Sequence, residues 1–228
     1  MAVTLIVLYC SGRKRCIEQY PNSSFTLRKH VPNTYHILDE TIKIFKEKKK
    51  IDITSPQVSS LSLYQGHFYN VSGLKEEIYN QIKSGKLDFL IMSAGYGFVH
   101  PLQKIHEYDV KMKGLITRWW RQNGLHKVLE EYVINQKMKR IYGFFAKTSD
   151  YKKIFEDVNW QSLKDVEEAG YYYLQGIRGP KAQRLVPETL GKLMLCQIKN
   201  GFQQPPILYQ HNSEVIFHRL SRAHGRQS

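Results

Sequence analysis

Short runs of apolar residues that stop abruptly constrain this chain more than any other feature. Val3 to Tyr9, Leu87 to Met92 and Arg140 to Ala146 are nearly continuous apolar stretches. They break off at Ser11-Gly12, at Ser93-Ala94-Gly95 and at Lys147-Thr148-Ser149. Runs this short and this unbroken read as strands buried on both faces, the situation inside a parallel sheet covered by helices. Tyr171 to Ile177 is a fourth candidate, Glu214 to Leu220 an edge strand, and Thr34 to Leu38 a weaker candidate.

Helical periodicity fills the gaps. Asp39 caps a helix running through Lys49, with Ile42 and Phe45 inward. Gly73 to Lys83 puts Leu74, Ile78 and Ile82 on one face. Leu125, Val128, Leu129, Tyr132 and Val133 form an amphipathic stripe, separated by Asn123-Gly124 from a stretch over Lys113 to Gln122. A last helix has Pro187 in its first turn, Gly201 past its end, and Leu190, Leu193, Met194 and Ile198 facing inward. Strands alternating with helices predict an α/β fold with a mostly parallel central sheet flanked by helices. Residues 1–228 read as a single domain, with a loose basic tail from about residue 221.

Hydrophobic residues make up 42% of the chain, enough for a core, so composition excludes disorder. The charge is unbalanced: 34 Lys+Arg against 20 Asp+Glu gives a net +14, which attracts polyanions. Because the basic residues mix with Tyr and Trp, nucleic acid is preferred over an anionic membrane surface. No stretch approaches the roughly 20 apolar residues that span a bilayer. The apolar start breaks at Cys10-Ser11-Gly12-Arg13-Lys14, too soon for a signal peptide. Cys10, Cys16 and Cys196 show neither CxxC nor zinc-ligand spacing, so a reducing cytoplasm is expected, with no metal and no cofactor.

In an open parallel sheet, ligands bind beyond the carboxyl ends of the strands. Three such ends stand out. In Cys10-Ser11-Gly12-Arg13-Lys14, small residues let backbone N–H groups approach a phosphate and two cations neutralise it. The alternative is a plain turn with exposed cations, and the spacing is not that of a P-loop. In Ser93-Ala94-Gly95-Tyr96-Gly97-Phe98-Val99-His100-Pro101, the glycines leave room beside a ligand and Tyr96 offers a flat face for a base. Asp109 follows as a candidate buried carboxylate and general base, with a turn or cap as its plainer role. His100 and His106 read as core or surface residues rather than metal ligands. Lys147-Thr148-Ser149-Asp150 reads as a helix N-cap, with a phosphate contact from Lys147 or Thr148 as the alternative. In Arg118-Trp119-Trp120-Arg121, helical spacing puts one tryptophan in the core and leaves the other partly exposed. The arginines are candidate nucleic-acid contacts.

Four motifs carry a resemblance. They are the first strand with Cys10-Ser11-Gly12-Arg13-Lys14; Leu63-Tyr64-Gln65-Gly66-His67-Phe68; Ile91 to Pro101 followed by Tyr108-Asp109; and Trp120-Arg121-Gln122-Asn123-Gly124-Leu125. Together they resemble the YaaA-like superfamily, which includes peroxide-stress proteins. The resemblance runs from about residue 3 to residue 157, and more faintly through Leu185 to Leu195. The third motif is the specific one. The resemblance implies a fold related to uracil-DNA glycosylase and archaeosine synthase α/β domains. It also implies work on DNA or on nucleobases, including excision of hypermodified bases in phage defence. The chain departs from familiar uracil glycosylases: it has no Asp-Pro-Tyr-His string, no closing His-Pro-Ser motif and no acid in its first-strand loop. The iron–sulfur cysteine set of some glycosylases is also missing.

The expected function is therefore that of a DNA glycosylase. It would flip a modified base, such as a glucosylated cytosine, out of double-stranded DNA and hydrolyse its N-glycosidic bond. Asp109 and Ser93 are the candidate catalytic residues. Cys10, Ser11, Gly12, Tyr64, His67, Gly95, Tyr96, Gly97 and His100 are the candidate base pocket. Arg13, Lys14, Arg118, Arg121 and Lys147 are the candidate DNA contacts. The alternatives are a non-catalytic protective DNA-binding protein and a tRNA or nucleotide base-modification enzyme. The oligomeric state stays open.

Overall fold

The computed structural model describes residues 3–20, 25–202, 208–209 and 213–221. Its strands are β1 (Thr4–Tyr9), β2 (Val58–Ser59), β3 (Asp88–Ser93), β4 (Gly97–Val99), β5 (Lys104–Ile105), β6 (Arg140–Phe144), β7 (Glu168–Gln175), β8 (Leu208–Tyr209) and β9 (Ser213–Arg219). Its helices are α1 (Tyr35–Glu47), α2 (Ser60–Leu63), α3 (Leu74–Ser84), α4 (Leu115–Gln122), α5 (Leu125–Asn135), α6 (Asp150–Glu156) and α7 (Ala182–Lys199).

Seven strands form one sheet in the order β4-β3-β1-β6-β7-β9-β8, while β2 and β5 pair separately. The four inner strands β3, β1, β6 and β7 are parallel. The flanking strands β4, β9 and β8 pair antiparallel. In the middle, Val7 lies opposite Leu90 on one side and Gly143 on the other. Leu5, Ile6, Val7 and Leu8 have no solvent exposure, as the unbroken apolar run requires of a strand covered on both faces. Helices α3 and α7 pack on each other, and α5 joins α1, α4 and α6 in a second group. One contiguous hydrophobic cluster links sheet and helices.

The α/β class and the mostly parallel sheet follow the sequence expectation; several local readings do not. Thr34 to Leu38 is not a strand, because helix α1 starts at Tyr35. Buried Ile37, Leu38, Thr41 and Phe45 follow a helical period, and Thr34 is tied through its N–H and hydroxyl to Glu131 of α5 at 2.7 and 2.6 Å. Asp39 is an exposed residue inside that helix, not its cap. Helix α7 starts at Ala182, so Pro187 lies inside it. Strand β9 is not the edge, since β8 pairs outside it. The loose tail expected after about residue 221 falls outside the described residues.

The segment after β3 is the main surprise. Ser93 to Gly97 turns tightly, and β4 folds back to pair with β3, placing Ser93 opposite Gly97. Every residue from Ser93 to Val99 is buried. Gly97 has φ +72°, and a methyl group there would lie 2.4 Å from Leu38 and 3.1 Å from Trp120. A Gly97→Ala variant should therefore lose about 1–3 kcal/mol of stability from strain and overpacking. Urea unfolding tests this: a midpoint equal to that of the parent would refute the packing role of this glycine.

Candidate functional site

The chain leaves β1 for β3 on one side, then crosses to β6 and β7 on the other. The carboxyl ends of β1 and β6 therefore flank a topological switch point, where an open α/β sheet leaves a crevice. Two adjoining cavities open there.

The smaller holds about 280 Å³ and lies over the end of β1. Its wall begins with Tyr9, Cys10, Ser11, Gly12 and Arg13 and continues through Gln65 to Tyr69. Backbone bonds zip these two segments together: Gln65 N–H donates to the Arg13 carbonyl and Arg15 N–H to the Leu63 carbonyl, each at 2.9 Å. Gly66 is needed for this approach, since a methyl group there would sit 2.2 Å from Ser11 Oγ. Tyr69 Oη donates to the Tyr9 carbonyl at 2.7 Å. The Tyr9 ring lies 5.3 Å from Phe68 and 5.8 Å from Tyr151, and the hydroxyl of Tyr151 is hydrogen-bonded to Cys10 Sγ at 2.8 Å.

The larger cavity, about 570 Å³, lies over the ends of β6 and β7. Lys147, Thr148, Gln175 and Arg178 line it, and Tyr9, Gln183 and Pro187 line both cavities. Among the described residues, no Asp or Glu lines either one. Among the described residues, Arg13, Lys147 and Arg178 form no ion pair. The walls are thus aromatic and amide-bearing, and the charge at their rim is wholly positive.

Of the residues expected from the sequence, Cys10, Ser11, Gly12, Arg13 and His67 line the smaller cavity and Lys147 the larger. The other members of the expected pocket are elsewhere. Tyr64 has no exposure and Tyr96 is 6% exposed, so neither offers a face to a base. Tyr96 packs edge-on against Tyr108, and its hydroxyl accepts from His106 N–H at 3.1 Å. Burial pushes the Tyr96 phenol up to about 12. Gly95 makes room for the Tyr108 ring, not a ligand: a methyl group there would lie 2.7 Å from it. Ser93 is fully buried and donates to Tyr108 Oη at 3.0 Å, and Tyr108 Oη also pairs with Tyr64 Oη at 3.0 Å. Burial raises the phenols of Tyr64 and Tyr108, so both are neutral.

The expected buried carboxylate is absent as well. Asp109 is exposed, donates its N–H to the Lys50 carbonyl, and lines neither cavity. Lys14 turns away from the cavities and lies over the Tyr108 ring at 4.1 Å. Burial lowers its amine, against the pull of Cys10, Glu107 and Asp109. Arg121 is held by Asp157 through two contacts of 2.6 and 2.7 Å, while Arg118 is exposed on α4. Trp120 is core and donates to the Ala94 carbonyl at 2.8 Å; Trp119 is partly exposed, as expected. Ser149 caps α6 by accepting from Tyr151 N–H.

Tyr9, Phe68, Tyr69, Arg178, Gln183 and Pro187 were not foreseen as site residues. Gln65 and Phe68 flank His67 in the second motif, which was the available signal. Tyr9 ends an apolar run and read as strand, and nothing local marks the residues from α7. Among the described residues, no cluster of three or more His, Cys, Asp or Glu could hold a metal, and no helix is long and apolar enough to cross a membrane. In comparisons with known proteins, no family model and no curated protein sequence matches this chain.

His100 belongs to the core. It is 4% exposed, stacks on Phe25 at 4.0 Å, and its Nδ1 accepts from Leu102 N–H at 3.2 Å. Burial, with a further push from His30, lowers its pKa from 6.5 to about 3. The unfolded chain takes up this proton near pH 6.5 and the folded chain does not, so stability falls as pH drops from about 6.5 towards 3. Replacing His100 with Asn, which keeps an acceptor near Nδ1, should flatten this fall in urea titrations between pH 7 and 4. An unchanged slope would assign the acid sensitivity to other groups.

Proposed function

We propose that this protein binds nucleic acid and receives one extruded nucleobase in the smaller cavity, where it acts as a DNA glycosylase. The observation that carries the binding is the groove at the switch point, lined among the described residues by no Asp or Glu and rimmed by Arg13, Lys147 and Arg178, which form no ion pair among those residues. A net +14 supports the encounter with a polyanion. The base would stack against Tyr9, and Gln65, His67 and Gln183 would read its polar edge. Tyr9 takes over the stacking role expected of Tyr96 and Tyr64.

Excision would hydrolyse the N-glycosidic bond: water adds to the sugar C1′ and the base leaves with a proton. His67, at the cavity wall, would deliver that proton. Asp109, expected from the sequence to steady the cationic sugar, lines neither cavity and takes no part in this reading. A second reading, binding without cleavage, is favoured by the lack of any carboxylate in the cavity walls.

Incubation with normal and with phage-derived modified DNA, followed by alkaline cleavage, decides between them. Abasic sites on modified DNA are expected; tight binding with none on any substrate establishes the binding-only reading. Release of a base from RNA alone would move the substrate to RNA. Asp109→Asn should spare both turnover and affinity, and loss of turnover in that variant would bring Asp109 back into the reaction. Arg13→Ala should lower the salt dependence of DNA affinity by about one phosphate contact. An affinity independent of salt would overturn the nucleic-acid reading itself.

A further inference from the structure

The smaller cavity does not end at its own wall. Tyr9, Gln183 and Pro187 line it and also line the larger cavity, so the two form one bent groove. At about 280 Å³ the smaller part falls just below the roughly 300–1,000 Å³ of ordinary ligand sites. It suits a flat ring, not a whole nucleotide. The larger part, about 570 Å³, differs in chemistry as well as size. Lys147 enters it from the end of β6 and Arg178 from the loop after β7, so two cations carried by neighbouring strands share one hollow. Thr148 and Gln175 add neutral hydrogen-bonding groups. With no carboxylate in the lining, nothing there competes for the cations. A guanidinium fork beside an ammonium and a hydroxyl matches the oxygens of a phosphodiester.

Resting on the nucleic-acid reading above, we propose that the larger cavity is a phosphate subsite. In it, Lys147 and Arg178 hold a phosphodiester next to the nucleotide whose base fills the smaller cavity. The recognised unit is then a base together with its own backbone, bent across the seam at Tyr9 and Pro187. Pro187 shapes that seam in a second way. It has no N–H, so the carbonyl of Gln183 gains no helical bond from it.

The test uses DNA duplexes with a single bulged nucleotide. The phosphodiester on the 5′ or the 3′ side of the bulge is replaced by an uncharged methylphosphonate, and affinity is read by fluorescence anisotropy. Wild type should prefer the bulged duplex to the fully paired one. It should also lose about tenfold in affinity when one of the two linkages is neutralised, the size of a charge-assisted hydrogen bond. A Lys147→Ala/Arg178→Ala double variant should keep the preference for the bulge and lose the sensitivity to the linkage. Both side chains are exposed, so the fold should tolerate the change. Preference for the bulge without linkage sensitivity in wild type, or a double variant as sensitive as wild type, overturns the phosphate subsite alone. No preference for the bulge in wild type overturns the base-binding reading, and the subsite with it.

Discussion

Strand β1 is the constraint on which the rest of the structure depends. It is paired on both edges, with β3 and β6, and four of its side chains are wholly out of water. A backbone so deep must find every hydrogen bond inside the protein, and parallel neighbours on both sides supply them. Parallel pairing then aligns the carboxyl ends of β3, β1, β6 and β7 on one side of the sheet. Because the chain crosses β1 between its second and third parallel strands, those ends part at β1 and β6. The groove, the tyrosine in its wall and its cations all follow from that crossing.

Glycine serves two purposes in this fold. At Gly66 it lets two loops touch and so builds the wall of the groove. At Gly95 and Gly97 it lets Tyr108, Leu38 and Trp120 close over a hairpin, which seals that strand end. The sealed end contains hydroxyls from Ser93, Tyr64 and Tyr108 that satisfy one another. Such a network removes polar atoms from water without leaving any unpaired, which makes the region rigid support instead of a binding surface. Lys14 covers it as a cation over an aromatic face.

Arg121, Lys139, Lys153 and Arg219 are held by carboxylates away from the groove, and Arg184 and Lys192 share Glu188 on α7. Exposed pairs like these add little to stability, but they cancel local potential. The cations lining the groove form no ion pair among the described residues and add to the positive field of a chain with net +14.

The sequence alone determined the strand–helix alternation, the core faces of α5 and α7, and the basic character of the groove's first loop. Those features are local: a run of buried residues or a helical stripe is visible within a dozen positions. It also put one tryptophan of the Trp119-Trp120 pair in the core, without deciding which. It misread Ser93 to Gly97 because a glycine next to a ligand and a glycine next to a tyrosine look alike until the neighbour is known. Asp109 was misplaced for a similar reason, since exposure is a property of the surroundings. Only the tertiary structure decided that Tyr9, Phe68, Arg178, Gln183 and Pro187 share one groove. They come from four separate parts of the chain, and nothing but the closing of the sheet and the docking of α7 brings them together.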